Sequence, residues 1–165
     1  MHASIRSLTG LVVTVVLACT AAPCIADPAL ARFAAAVEST YPGTPTLDAA
    51  AFLAREDRDR FVLVDARSTA EIAVSRIPDA IRPDDLPALR AGRPVLVYCT
   101  VGMRSAKLTQ ELRAAGIEAF NLSGGILGWA AAGGALVDPR GEPTRKVHTY
   151  GARWNYLPPG YEPVW

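Results

Sequence analysis

Residues 95–105 read Val-Leu-Val-Tyr-Cys-Thr-Val-Gly-Met-Arg-Ser, and this stretch decides the fold predicted for the whole chain. Four strand-forming residues lead directly to Cys99. A short loop with one glycine follows, and an amphipathic pattern over residues 106–112 predicts a helix. A cysteine between the carboxyl end of a strand and the positive end of a helix occupies a position where a thiolate is stabilised. The stretch therefore predicts an α/β domain with a reactive cysteine.

The remaining strand and helix signals alternate along the chain. A continuous apolar run at 61–65 ends in Asp65 and predicts a strand buried on both faces. Shorter strands are predicted at 46–47 and 117–121, with only a strand fragment at 80–81. Helices are predicted at 28–40, 48–55, 69–74, 83–90, from the loop to 115, and 124–132. This alternation predicts a parallel sheet whose ligand crevice lies beyond the carboxyl ends of its strands.

The first 26 residues have the layout of a secretory signal peptide. Arg6 precedes an apolar run over 8–18, and small residues continue to Ala26, where cleavage is expected. A periplasmic or secreted protein follows from this interpretation. A membrane helix would need about 20 apolar residues. A lipoprotein anchored at Cys19 is the other alternative, because residues 16–19 resemble a lipobox, although Leu17 fits that pattern poorly.

Charge and cysteine content narrow the function classes. The chain has 17 basic and 16 acidic residues, and cleavage at Ala26 would remove only Arg6, which leaves 16 of each. Such a balance does not favour nucleic acid as a partner. Cleavage would also leave Cys99 as the only cysteine, so no internal disulfide is expected. The predicted chemistry calls for no metal and no cofactor.

The loop after Cys99 has the residues for thiolate chemistry. Gly102 allows successive N–H groups to turn inward toward an anion, and Arg104 offers a cation to an anionic substrate. We expect Cys99 to be catalytic, since a thiolate needs no strong general base. The residues expected to bind substrate are Thr100, Val101, Gly102, Met103 and Arg104. In the alternative interpretation Cys99 is a buried structural residue and Arg104 pairs with a structural carboxylate.

Four segments, taken in order and spacing, resemble the rhodanese-like domain, a sulfurtransferase module. They are 64–67 (Val-Asp-Ala-Arg) with Glu71, 77–81 (Ile-Pro-Asp-Ala-Ile), 98–105, and 121–129 (Asn-Leu-Ser-Gly-Gly-Ile-Leu-Gly-Trp). The resemblance implies a three-layer α/β fold with a five-stranded parallel sheet flanked by helices, over residues 46–134. Residues 27–45 then form an N-terminal helix and linker. Asp65, Arg67 and Glu71 are expected to support the neighbouring loops.

The resemblance also implies a reaction. Cys99 would accept a sulfane sulfur from thiosulfate or a persulfide and pass it to a thiol or to cyanide. The chain lacks the extra loop cations of the vertebrate thiosulfate enzymes, so the donor stays open. One alternative is a non-catalytic persulfide carrier or partner-binding module, with a periplasmic protein as partner. A cysteine-dependent phosphatase is disfavoured, because related phosphatases have five rather than four residues between the cysteine and the arginine.

Residues 135–165 differ in composition from the rest. They contain five prolines and five tyrosines and tryptophans, which predicts an extended tail packed over the domain surface rather than a helix or regular sheet. His148 is expected at the surface. If the tail folds over the crevice, Tyr150 and Trp154 would form a wall of the site.

Overall fold

The computed structural model describes residues 28–89 and 92–165. The signal peptide predicted at 1–26, its cleavage site and the alternative anchor at Cys19 lie outside the described residues. The longest helix described has 13 residues, and in these two ranges no helix combines the length and apolar character needed to cross a membrane.

Strands and helices alternate along the chain, except that α3 and α4 follow one another without a strand between them. The helices are α1 (Pro28–Thr40), α2 (Ala49–Leu53), α3 (Thr69–Ile72), α4 (Leu86–Leu89), α5 (Met103–Ala114) and α6 (Gly125–Ala131). The strands are β1 (Thr46–Leu47), β2 (Val62–Asp65), β3 (Val95–Tyr98), β4 (Ala119–Leu122), β5 (Lys146–His148) and β6 (Glu162–Val164). Short 3₁₀ helices lie at Arg58–Arg60, Pro83–Asp85 and Ala152–Trp154. The helix predicted at 69–74 ends at Ile72, and the one predicted at 83–90 begins as a 3₁₀ helix before α4.

The main sheet confirms the predicted α/β fold. Its strands are all parallel and lie in the order β1-β4-β3-β2. Asp65 at the end of β2 lies opposite Tyr98 at the end of β3. Parallel strands end at the same edge of a sheet. Asp65 and Cys99, which directly follows Tyr98, are therefore brought to one edge, as predicted.

The expectation of five strands is wrong in detail, because the main sheet has four. The fifth position is occupied by Ile81, which forms a single parallel bridge with Val64. Its N–H donates to Leu63 O at 2.9 Å, and its carbonyl accepts from Asp65 N at 2.9 Å. Pro83 follows two residues later and opens a 3₁₀ helix. Proline has no N–H and a fixed φ, so the chain leaves the sheet after one bridge.

The two faces of the sheet pack against different groups of residues. Side chains alternate along a strand, so Leu96 and Tyr98 of β3 enter one cluster while Val95 and Val97 enter the other. All four are buried, which makes β3 the central strand of the core. The first cluster also contains Leu30, Phe52, Phe61, Leu122, Ile126 and Trp129. The second contains Val62, Val64, Leu86 and Ala119.

The C-terminal segment contains a regular sheet, contrary to the prediction. Strands β5 and β6 pair in parallel, and Val147 of β5 is fully buried in the first core cluster. Pro163 lies in β6, where the outer edge of a two-stranded sheet tolerates a missing N–H. Strands β5 and β6 thus form despite a composition that disfavours strands, because their long-range pairing and the burial of Val147 stabilise them. The expected aromatic packing is present, since Trp154 and Tyr156 lie 5.0 and 5.4 Å from the ring of Phe33.

Candidate active site

The sulfur of Cys99 lies at the start of the loop between β3 and α5. Gly102 N donates to its Sγ at 3.2 Å, and Ser105 Oγ lies 3.5 Å from the same atom. Gly102 has φ 104°, a conformation that side chains disfavour, and this conformation turns its N–H toward the sulfur. Helix α5 begins at the next residue and adds the positive end of its dipole. The loop therefore places two hydrogen-bond donors, Gly102 N and Ser105 Oγ, within 3.5 Å of the sulfur.

Helix α6 packs directly against the backbone of this loop. Ile126 N donates to Cys99 O at 2.8 Å, and Leu127 N donates to Thr100 O at 3.3 Å. A Cβ atom at Gly125 would lie 2.3 Å from Cys99 O, a distance that no side chain can adopt. The glycine pair that opens α6 is therefore required by the close approach of the helix to the loop.

Arg104 pairs with a carboxylate, which is the alternative interpretation from the sequence. Its Nη1 and Nη2 donate to Glu71 Oε2 and Oε1 at 2.8 and 2.7 Å. Nη2 also donates to Thr100 Oγ1 at 2.9 Å, and Thr100 Oγ1 donates to Glu71 Oε1 at 2.6 Å. The guanidinium is thus held by α3 and by the loop, while 41% of the Arg104 side chain stays exposed.

Glu71 is ionised within this network. Ser68 caps α3, and its N and Oγ both donate to Glu71 Oε2 at 2.9 Å. Burial raises the pKa of Glu71, but hydrogen bonds from Arg104, Thr100 and Ser68 outweigh it and lower the pKa from 4.5 to about 2. The same pairing, opposed by partial burial, raises the pKa of Arg104.

Asp65 and Arg67 form a second pair that is fully buried. Arg67 Nε and Nη2 donate to the two carboxylate oxygens at 2.9 and 2.6 Å, and Nη2 also donates to Ser75 O at 2.7 Å. Tyr98 Oη donates to Asp65 Oδ2 at 2.7 Å and accepts from Ile77 N at 3.2 Å. The hydrogen bonds of the pair thus run to the backbone and side chains of neighbouring loops. This is the geometry expected of supporting residues.

A pocket of about 290 Å³ opens beside the sulfur of Cys99. Loop residues and two aromatic residues of the C-terminal segment form its walls. The lining residues are Cys99, Thr100, Val101, Met103, Arg104, Tyr150 and Trp154. The expectation that Tyr150 and Trp154 wall the crevice is therefore confirmed. A larger cavity of about 640 Å³ lies elsewhere, beside Phe52 and Arg93, and none of the predicted site residues lines it.

The structure brings the predicted site residues together in two groups. Thr100, Arg104 and Glu71 share one hydrogen-bond network, and Cys99 lines the same pocket as Thr100 and Arg104. Asp65 and Arg67 form a separate, buried pair. Ser105 was not among the predicted site residues, although it stands in the stretch that suggested the site. The sequence signal that could have identified Ser105 is its hydroxyl at the third position of the helix that follows the cysteine.

His148 is half-buried, and its Nδ1 accepts from Tyr150 N at 3.1 Å.

Fold and site together define an α/β domain with a cysteine loop at the carboxyl edge of a parallel sheet. The chain belongs to the rhodanese-like domain family, whose model matches residues 48–132. Residues 133–165, including β5, β6, Tyr150 and Trp154, lie outside that match. The resemblance seen in the sequence is therefore confirmed for the family.

Curated relatives share about half of this chain. A sulfurtransferase of Allochromatium vinosum is 37% identical over 92 residues, which are 52% of this chain and 86% of that protein. An uncharacterized protein of Synechocystis is 34% identical over 94 residues, which are 52% of each chain. The chain therefore spans most of the first relative but only about half of the second.

Solved structures have the same fold. The thiosulfate sulfurtransferase of Pseudomonas aeruginosa is 30% identical with a TM-score of 0.55, over 68% of this chain and 23% of that one. A rhodanese-related protein of Thermoplasma volcanium is 24% identical with a TM-score of 0.51, over 56% of this chain and 97% of that one. The second likeness concerns the fold alone.

Proposed function

We propose that this protein is a sulfurtransferase that carries a sulfane sulfur on Cys99. The observation that carries the proposal is the position of the Cys99 sulfur, which borders a pocket and accepts a hydrogen bond from Gly102 N. The sulfurtransferase name of the Allochromatium relative supports the same class of reaction. Within the described residues no other cysteine is present, so the transfer would run through this one thiol.

The first half of the reaction loads the cysteine. The Cys99 thiolate, formed by loss of its proton to water, attacks the outer sulfur of a donor such as thiosulfate. A new S–S bond forms between Sγ and that sulfur, and the S–S bond of the donor breaks. Sulfite leaves with the bonding electron pair, and Cys99 becomes a persulfide. Donors at the loop and the positive end of α5 stabilise the negative charge that is carried throughout.

The second half returns the thiolate. A thiol, as its thiolate, or cyanide attacks the outer sulfur of the persulfide. The bond between that sulfur and Cys99 Sγ breaks, and its electron pair returns to Sγ. With cyanide the product is thiocyanate, and charge and atoms balance without an oxidant or reductant. No general base is required, because both nucleophiles react as anions.

Intact-mass measurement tests the proposal directly. After incubation with thiosulfate or an organic persulfide, the purified protein should gain the mass of one sulfur atom and lose it on addition of cyanide. Cys99→Ser should neither gain the mass nor form thiocyanate, while Trp165→Ala, at a residue that does not line the pocket, should still load. Sulfur transfer that persists in Cys99→Ser would reject the proposal.

The same measurement separates the second candidate function from the first. A persulfide carrier that serves a protein partner would load Cys99 but release its sulfur only slowly to small acceptors. The exposed Trp165, 65% accessible at the end of the chain, favours keeping this candidate. Rapid turnover with cyanide or a small thiol would reject it. Hydrolysis of an aryl phosphate would instead favour the phosphatase alternative.

We also propose that the protein acts after export, in the periplasm or outside the cell. The basic and apolar pattern of residues 1–26 supports this location. N-terminal sequencing of the protein purified from its native cells should begin at Asp27. A lipidated Cys19 as the first residue would show that the protein is membrane-anchored instead.

A further inference from the structure

We propose that Tyr150 and Trp154 make the Cys99 pocket selective for small organic sulfur donors that carry an apolar group, in preference to inorganic thiosulfate. The inference rests on the proposed sulfur transfer and concerns its substrate class. Both residues line the pocket, and both lie beyond residue 132, where the match to the family ends. The selectivity would therefore be a property of this chain's own C-terminal segment.

Trp154 is held in place by an aromatic contact with α1. Its centroid lies 5.0 Å from that of Phe33 on α1, and Tyr156 packs on the same phenylalanine at 5.4 Å. The 3₁₀ helix Ala152–Trp154 carries the residue, and Trp154 N donates to Gly151 O at 2.9 Å. A ring supported in this way is a pre-formed wall, so a ligand does not have to order it on binding.

Tyr150 has an unusual backbone conformation for a side chain of its size. Its φ is 68°, in the left-handed region that bulky residues rarely adopt. The turn is maintained from both sides, because Thr149 N donates to Val164 O at 2.9 Å and Tyr150 N donates to His148 Nδ1 at 3.1 Å. Glycine would fit this turn without strain, so the tyrosine points to a use for its ring.

The ring of Tyr150 lies over the cation of the site. The Arg104 guanidinium carbon is 5.8 Å from the ring centroid. Arg104 is the only charged residue among those that line the pocket, and three of its five N–H donors already bind Glu71 and Thr100. A thiosulfate dianion would have to leave water for a pocket whose one lining cation is already paired with Glu71. That transfer is costly.

An organic donor matches the same walls better. Val101, Met103, Tyr150 and Trp154 present apolar surface, and the burial of an apolar substituent against them is favourable. The pocket volume of about 290 Å³ exceeds the roughly 150 Å³ that suffices to hold a benzene molecule. An aryl or short alkyl group attached to the leaving sulfur of the donor therefore fits, and a donor with a single negative charge loses less hydration than a dianion.

The reaction with such a donor is balanced. The Cys99 thiolate attacks the outer sulfur of a thiosulfonate, RSO₂S⁻, and a bond forms between Sγ and that sulfur. The S–S bond of the donor breaks, and the sulfinate RSO₂⁻ leaves with the electron pair. Two negative charges enter and two remain, one on the persulfide and one on the sulfinate. Cyanide then regenerates the cysteine as in the proposed function.

The test compares kcat/KM for benzenethiosulfonate, methanethiosulfonate and thiosulfate, with cyanide as acceptor. The first two donors share charge and reacting group and differ only in the apolar substituent. The mature protein should prefer the benzene compound over the methane compound on the order of tenfold. Trp154→Ala and Tyr150→Gly should bring this ratio close to one, chiefly by lowering kcat/KM for benzenethiosulfonate. Glycine is chosen at position 150 because it accepts the positive φ.

Two controls keep the test specific. Trp165→Ala removes an exposed tryptophan of the same segment that does not line the pocket, and it should leave the ratio unchanged. Tyr150→Phe and Trp154→Phe keep a ring and should retain most of the preference. Circular dichroism on each variant confirms that the fold is kept.

The outcomes separate the two proposals. A ratio that is unchanged in Trp154→Ala and Tyr150→Gly, in a protein that still loads Cys99, overturns the selectivity and leaves the sulfur transfer standing. A wild-type preference for thiosulfate over benzenethiosulfonate overturns it as well. If the wild type takes sulfur from none of the three donors, both the proposed sulfur transfer and the proposed selectivity are rejected.

Discussion

Two arginine–carboxylate pairs lie behind and beside the Cys99 loop, and they differ in their access to water. In the pair of Asp65 and Arg67 both side chains are inaccessible, at 2% and 0% exposure. In the pair of Glu71 and Arg104 the carboxylate is buried, but 41% of the arginine is exposed. The shortest contacts are similar, at 2.6 and 2.7 Å. Burial therefore distinguishes the two pairs, and contact distance does not.

The difference explains what each pair can do. Burial of Arg67 opposes its charge, but Asp65 more than compensates and raises the pKa of Arg67. The charge of Asp65 also adds to the effect of burial in raising the pKa of Tyr98, so this tyrosine stays a neutral donor. The hydrogen bonds of the Asp65–Arg67 pair thus link β2, β3 and the loop at Ser75. The second pair reaches the pocket, where solvent and ligands can alter it.

The largest effect is expected from breaking the buried pair. Asp65→Asn should lower the free energy of unfolding by about 3–5 kcal/mol, because it leaves the Arg67 charge buried without its counter-charge. Urea denaturation measures the loss. The double variant Asp65→Leu with Arg67→Met should recover part of it, since neither charge then remains. A loss below about 1 kcal/mol in Asp65→Asn would contradict the comparison, because it falls short of the cost of an unpaired buried charge.

A smaller effect is expected from Glu71→Gln. The variant keeps the size of the side chain but removes charge-assisted hydrogen bonds, and it should lower the free energy of unfolding by about 1.5–3 kcal/mol. The loss is smaller than for Asp65→Asn because the exposed part of Arg104 can bind water instead. Both variants are compared in the same urea titration. Equal losses would show that exposure does not separate the pairs.

Acid should weaken the half-exposed pair in a defined pH range. Glu71 has a lowered pKa of about 2 in the folded protein against 4.5 for the free side chain. Its contribution to stability is therefore full above about pH 4.5 and is lost as the pH falls toward 2. The stability difference between wild type and Glu71→Gln should shrink over this range, by roughly 2 kcal/mol. A difference that stays constant between pH 5 and 2.5 would be the contrary result.

The smallest effect is expected from an ion pair with both partners in water. Lys146 and Glu162 join β5 and β6 at 3.6 Å, with exposures of 59% and 63%. Glu162→Gln should change the free energy of unfolding by less than about 0.5 kcal/mol, since exposed pairs contribute little. The urea midpoint of this variant completes the series from buried to exposed. A loss as large as that of Glu71→Gln would break the ordering.

Most of the fold and part of the site could be predicted from local sequence. Strands β2 and β3 are continuous apolar runs, and a run of this kind predicts its own burial without any partner. The parallel topology then brings Asp65 and Cys99 to one edge. Helix starts are equally local, and Asp48 and Ser68 cap α2 and α3 where helices are predicted to begin. The prediction of a fifth strand was wrong because Ile81 forms only one bridge with the sheet. The flanking prolines determine where the chain leaves the sheet at this point.

Local patterns in the sequence were enough to predict the family, the order of most elements and the cysteine that lines the pocket. These depend on short-range patterns, which act through backbone conformation and side-chain alternation over a few residues. The tertiary structure alone decided that Arg104 pairs with Glu71, 33 residues earlier, and that β5 pairs with β6. It also confirmed Tyr150 and Trp154 as walls of the pocket. Contacts between distant segments depend on the packing of the whole chain, because every segment competes for the same buried surface.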